Sequence, residues 1–92
     1  MCAVARQAAC MPMDPRDEQA LRRIGQNLRQ WRRKLDQSQD AVAMRSGLSN
    51  QSVVSKLEVG ERESGVLKYV RTAAALDMPL AALFEGVEDL YR

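Results

Sequence analysis

Apolar residues recur along this chain in steps of three and four. Leu21, Ile24, Leu28, Trp31 and Leu35 fall on one stripe, which predicts a helix over about residues 15–35. Its start is marked by Asp14-Pro15-Arg16-Asp17-Glu18: a capping Asp, a proline at the first helical position, and acids beside the positive end of the helix dipole. The stripe is too short for the sustained heptads of a coiled coil and reads as core. Asp36 and Gln37 break the pattern, and Ser38 caps a second helix whose apolar face is Val42 and Ala43, with Met44 beside them. Gly47, Leu48, Ser49 and Asn50 stop that helix and begin a third, because glycine fits a left-handed end position while Ser and Asn accept bonds from free amides at a helix start. The third helix, to about residue 58, buries Val54 and Leu57 with Val53 at their edge, and leaves Gln51, Ser52, Ser55 and Lys56 outward.

A polar, glycine-bearing stretch over 60–65 marks a connection. Beyond it a fourth helix, about 66–76, is expected to bury Val66, Tyr69, Val70, Ala73 and Leu76. Pro79 opens a fifth that carries Leu80, Leu83 and Phe84 inward. The pattern holds no strand candidate, so the fold class is all-α with five helices. Val87, Leu90 and Tyr91 continue the spacing of Leu83 and Phe84. If the fifth helix runs on through Gly86, these side chains form an apolar strip with little of their own domain to cover it, and dimer contact through Phe84, Val87, Leu90 and Tyr91 is favoured over folding back on the first helix.

Composition narrows the classes. The 92 residues suffice for one small domain, 46% hydrophobic and 28% charged, with only 4% aromatic, so packing is aliphatic. Residues 1–13 carry no helix cap and read as a disordered leader, residues 14–85 as the domain, and residues 86–92 as a C-terminal extension. Cys2 and Cys10 both lie in the leader. With no histidine anywhere, they make no metal site, and no cofactor is implied. No apolar run approaches bilayer length and no secretion signal opens the chain, so a cytoplasmic address is expected and no membrane partner. The chain offers no histidine, and no cysteine within its folded region, for acid-base or nucleophilic chemistry, so no catalytic residue is assigned and an enzyme is not expected.

Net charge is only +2, but its distribution is lopsided. Arg22, Arg23, Arg29, Arg32, Arg33 and Lys34 crowd the first helix, whereas Glu85, Glu88 and Asp89 gather at the C-terminus. The arginines off the apolar stripe admit two readings on composition, a solvated surface or an attraction to phosphate. Residues 38–60 form the centre of the pattern: two short helices, a tight turn, and a polar face on the second helix bearing groups able to read base edges.

Several marks together resemble the helix-turn-helix domain of phage Cro and C1 repressors and their bacterial relatives, the XRE family. They are IGQNLRQWRRKL ahead of Ser38 and Gln39, Ala43 inside the second helix, Gly47 at the turn, V-S-K-L-E-x-G from Val54 to Gly60, and AALDMPLAALF from Ala74. The similarity covers about residues 24–84 and implies a compact, five-helix, lambda-repressor-like DNA-binding domain. Two departures stand out. The turn holds one residue more than relatives usually have, and Gln37 sits where they tend to be apolar. Aligned from the downstream side, Asn50 caps the third helix. In the upstream register Ser49 is the cap and Asn50 becomes a base-reading candidate.

The resemblance implies roles residue by residue. Gln39 looks like a phosphate ligand at the amino end of the second helix. Gln51 resembles a reader of adenine, Ser52 and Ser55 share its face, and Lys56 reaches guanine or a phosphate. Arg32 and Glu58 match a pair joining the first helix to the end of the third, which would orient the Arg32 guanidinium toward the DNA backbone. Arg62 is a further phosphate candidate, flanked by Glu61 and Glu63. The expected function is a dimeric, sequence-specific regulator, a repressor, on a palindromic double-stranded operator. The alternative is an antitoxin-like module that binds a partner protein, with or without DNA.

Overall fold

The computed structural model describes residues 14–60 and 65–92, and among them five α-helices and a closing 3-10 turn, with no strand. Residues 1–13, expected to be a leader and holding the two cysteines, and residues 61–64 of the expected connection, with Arg62, lie outside the described residues. Helix α1 spans Pro15–Lys34, α2 Gln39–Ser46, α3 Gln51–Val59, α4 Val66–Ala75 and α5 Leu80–Leu83; the 3-10 turn is Glu88–Tyr91. The all-α, five-helix expectation is met. Asp14 caps α1 as its sequence predicts, its carboxylate accepting from the Arg16 amide at 2.8 Å. The Arg16 side chain donates twice more, from Nε and Nη2, and these bonds, with the amide's, hold Asp14 below the usual carboxylate range.

The core joins Leu21, Ile24 and Leu28 of α1 to Val42 and Ala43 of α2, Val54 and Leu57 of α3, Tyr69 and Ala73 of α4, and Leu76, Met78 and Leu83 beyond it. Three reversals set its shape, and all three use one device. After α1, α2 and α4 a residue turns into the left-handed region: Asp36 at φ 56°, Gly47 at φ 72° and Asp77 at φ 53°. The next residue then donates its amide five residues back: Gln37 to the Arg32 carbonyl at 3.1 Å, Leu48 to Ala43 at 3.0 Å, and Met78 to Ala73 at 2.8 Å. Met78 is buried and Leu48 packs against the core, so two of the three reversals carry the apolar contact that usually accompanies this cap. At the third, the Gln37 backbone carbonyl accepts from Arg32 Nη1 at 2.9 Å and its side-chain Oε1 from Arg45 Nη1 at 3.2 Å. These bonds account for a polar residue at that position.

Polar side chains on α1 hold the end of the domain. Asn27 Nδ2 donates to the carbonyls of Leu83 and Glu85, Arg23 Nε donates to Glu85, and Trp31 Nε1 donates to Leu76. The fifth helix does not run on through Gly86. It ends at Leu83, and Gly86 at φ 83° turns the chain so that residues 86–92 lie back along α1. There the Tyr91 hydroxyl donates to Asp17 Oδ1 at 2.5 Å, and Arg16 stands 5.6 Å over the Tyr91 ring. The Asp17 carboxylate holds the Tyr91 phenol above its ordinary value.

Other expectations about the core need correction. Leu35 is the cap residue past the last turn of α1, Val66 is the first residue of α4, and Met44 points away from the α2 core face; all three are exposed. Val70 is half-buried. Leu80 and Phe84 are exposed because α5 is a single turn and turns only Leu83 fully inward. No helix among the described residues is long and apolar enough to cross a membrane.

Candidate nucleic-acid interface

Asn50 sits in extended backbone, and its side-chain oxygen accepts from the Ser52 amide at 2.9 Å, so α3 begins at Gln51. That geometry corresponds to the downstream register. Asn50 is held here as a cap. Val54, Leu57 and Glu58 form the buried side of α3, while Gln51, Ser52 and Lys56 stand exposed and Ser55 is half-buried. The outer side is thus polar over its length up to the exposed Val59 at its end.

The inner end of α3 is fastened to α1 in two ways. Arg32 grips Glu58 with both arms of its fork, Nε to Oε2 at 2.6 Å and Nη2 to Oε1 at 3.0 Å, and the two side chains are only 12% and 3% exposed. A buried pair in this bidentate geometry is positioned tightly, and removing one partner strands the other's charge. Arg32 is therefore absorbed by Glu58 and the Gln37 carbonyl, with little surface left for a phosphate. The second fastening is a backbone contact at Gly25. At Gly25 a Cβ would lie 2.2 Å from the Glu58 carbonyl oxygen and 2.6 Å from that of Leu57, so the two backbones touch where only glycine fits. A glycine in the interior of an otherwise strong helix was the available signal.

The pair continues outward through two amides. Glu58 Oε1 accepts from Gln39 Nε2 at 3.0 Å, and Gln39 Oε1 accepts from Gln51 Nε2 at 2.5 Å. A carboxylate has no proton to give, so Glu58 fixes which end of the Gln39 amide faces it, and Gln39 in turn fixes Gln51. Gln39 is half-buried in this chain of bonds, at the first residue of α2. Beside it Ser38 Oγ accepts from the Ala41 amide at 3.0 Å, leaving the earliest amides of α2 for another acceptor. Asp40 in the same turn opposes an anion there.

The expected dimer residues divide. Phe84 and Tyr91 are exposed, whereas Val87 and Leu90 are half-buried on their own chain, Val87 against the core. No group of three or more Cys, Asp or Glu among the described residues is arranged to hold a metal ion.

The fold is similar to the crystal structure of the restriction-modification controller protein C.AhdI from Aeromonas hydrophila. The two share 34% sequence identity at a TM-score of 0.67, over 73% of this chain and 96% of that one. No protein-family model matches the chain. No curated protein matches it either.

Proposed function

The chain belongs to the family of the restriction-modification controller C.AhdI, and on that premise we propose that it is a sequence-specific regulator that binds double-stranded DNA. One observation carries the reading: α3 is clamped by its inner side to α1 through Arg32, Glu58 and Gly25, while its outer side offers Gln51, Ser52 and Lys56 to solvent. A helix held rigidly with polar side chains free is suited to the major groove, where each base pair shows a distinct pattern of donors and acceptors.

In this reading Gln51 gives one amide proton to Gln39 and keeps its other proton and its carbonyl oxygen. Those two groups match the N7 acceptor and N6 donor of adenine. Ser52 and Ser55 read beside it, and Lys56 reaches a guanine or a phosphate farther along. The amides at the amino end of α2, with Gln39, receive a backbone phosphate, and Arg62 adds another. Arg32 acts by placing Glu58, and through it Gln39 and Gln51, rather than by direct contact.

The regulator works as a dimer, with the exposed Phe84 and Tyr91 in the contact, and it represses by occupying promoter DNA. Selecting bound sequences from a random duplex pool tests this. The expected result is a palindrome whose half-site centres lie about 34 Å apart. A pool that shows no enrichment, at low salt as well as high, would contradict it.

A further inference from the structure

The proposed reading of α3 leaves the arginines of α1 without a task. From Gln19 to Lys34 the sequence runs QALRRIGQNLRQWRRK, 16 residues with no Asp or Glu. Its buried side is Ala20, Leu21, Ile24, Gly25 and Leu28. Arg22, Gln26, Arg29 and Arg33, at steps of four, three and four, form a ridge beside it, are all exposed, and begin where the Arg22 backbone meets Gly60 at the end of α3. Arg22 comes within 3.9 Å of Glu18, at the edge of ion-pair range, and no carboxylate among the described residues pairs with Arg29 or Arg33.

A solvated helix face of ordinary kind interleaves its cations with Glu at four-residue spacing, which stabilises the helix by a few tenths of a kcal/mol per pair. Here Arg29 and Arg33 stand at that spacing with like charge, which costs a similar amount. The face carries arginines and an amide side chain only, all of them able to donate to an anion. Besides Glu18, the carboxylate that comes to this face among the described residues is Asp89 of the tail, which shares a hollow with Arg22 and Gln26 and leaves the Arg29–Arg33 half of the ridge clear. From Arg22 to Arg33 the ridge runs about 16 Å, and a DNA strand presents a phosphate about every 3.4 Å of axis. Arginine forks suit phosphate oxygens two at a time.

We propose that this ridge of Arg22, Gln26, Arg29 and Arg33 is a second, sequence-independent surface for the phosphate backbone of double-stranded DNA, engaging DNA outside the stretch read by α3. The inference rests on the DNA-binding reading above. It differs from it in the residues, which lie on another helix, and in the DNA, which lies beyond the selected site. The ridge adds affinity for long DNA and no preference among sequences, since phosphates carry none.

The test compares the duplex recovered by selection, trimmed to its site, with the same site flanked on both sides by random sequence. Wild-type protein and the triple variant Arg22→Gln, Arg29→Gln, Arg33→Gln are titrated on both across a range of salt. Glutamine keeps helix propensity, and circular dichroism and the melting midpoint check that the variant folds. The logarithm of the binding constant falls with log salt at about 0.9 per phosphate neutralised, so on flanked DNA the variant's slope should be shallower by about 2.7. On the trimmed duplex the two proteins should agree within about twofold, because nothing read by α3 has changed.

Equal slopes on flanked DNA would overturn the proposal. So would a loss as large on the trimmed duplex, which would place these arginines in the specific grip. A wild-type ridge that binds a poly-glutamate peptide in preference to random duplex would overturn it as well, in favour of a protein partner. Failure of the wild type to bind the trimmed duplex would instead contradict the reading of α3.

Discussion

Asp36 and Asp77 occupy equivalent positions in two helix reversals, and at both a side chain sits in left-handed backbone that glycine adopts without penalty. Each also places a negative charge just past the carbonyl end of a helix, where the dipole disfavours it. Both are exposed. Replacing either by glycine removes strain and charge repulsion, and the extra freedom of glycine in the unfolded chain offsets part of the gain. Asp36→Gly and Asp77→Gly are each expected to stabilise the domain by about 0.5–1 kcal/mol, read as a higher urea midpoint at unchanged slope. A lower midpoint would mean that the carboxylate has a partner that matters.

At this scale the sequence was informative about caps and poor about where polar side chains would reach. Asp14, Ser38 and Asn50 were legible because a cap acts on amides two or three residues away. The Asn27 bonds to Leu83 and Glu85, 56 and 58 residues distant, leave no local trace. The exposure of Leu35, Val66 and Phe84 was also hidden, since each continues a helical period but falls at a helix end.

The helices themselves followed from their periodicity, and the order α1 to α5 could be read because five apolar stripes alternate with clear stops. What periodicity could not give was how closely two helices approach. Gly25 decides that for α1 and α3. In Gly25→Ala the new methyl meets two carbonyl oxygens that belong to backbone and cannot rotate aside. Overpacking of this kind typically costs about 1–3 kcal/mol. The variant should therefore lose at least about 2 kcal/mol by urea titration, and α3 should shift so that DNA affinity falls while some folded protein remains.

Gly47→Ala is the contrast. Its Cβ would meet nothing within 4 Å, so only the φ of 72° is at stake and the cost should be about 1 kcal/mol. Equal losses for the two variants would show that α1 and α3 are not in close contact. The fifth helix illustrates the same limit from the other side. Leu83, Phe84 and Val87 suggested a helix running on, but Gly86 takes positive φ and folds the tail onto α1. A glycine inside an apolar period is compatible with continuation and with a stop, and the Asn27 and Arg23 bonds to the Glu85 carbonyl favour the stop.

Over the whole molecule, charge is the feature that sequence displays and structure organises. A net charge of +2 says little, yet the cations of α1 lie along an outer face while Arg32 is withdrawn from it to hold Glu58. That one arginine distinguishes the two uses of the residue in this fold. Buried and forked, it sets the position of α3, whereas Arg29 and Arg33 stay in solvent. The candidate site was readable as a face, Gln51, Ser52, Ser55 and Lys56, because helical spacing fixes which residues share a side. The relay from Glu58 through Gln39 to Gln51 was not, because it joins three residues from two helices by side-chain length alone.

Gln51, aimed by this relay from α3, is proposed to read a base. The most direct measurement is the affinity of wild type and Gln51→Ala for the selected duplex and for a random duplex of equal length, at one salt concentration. The variant should lose about 1–3 kcal/mol on the selected duplex and almost nothing on the random one, with preference relaxed at a single base pair in each half-site. An equal loss on both duplexes, or none on either, would show that Gln51 reads nothing.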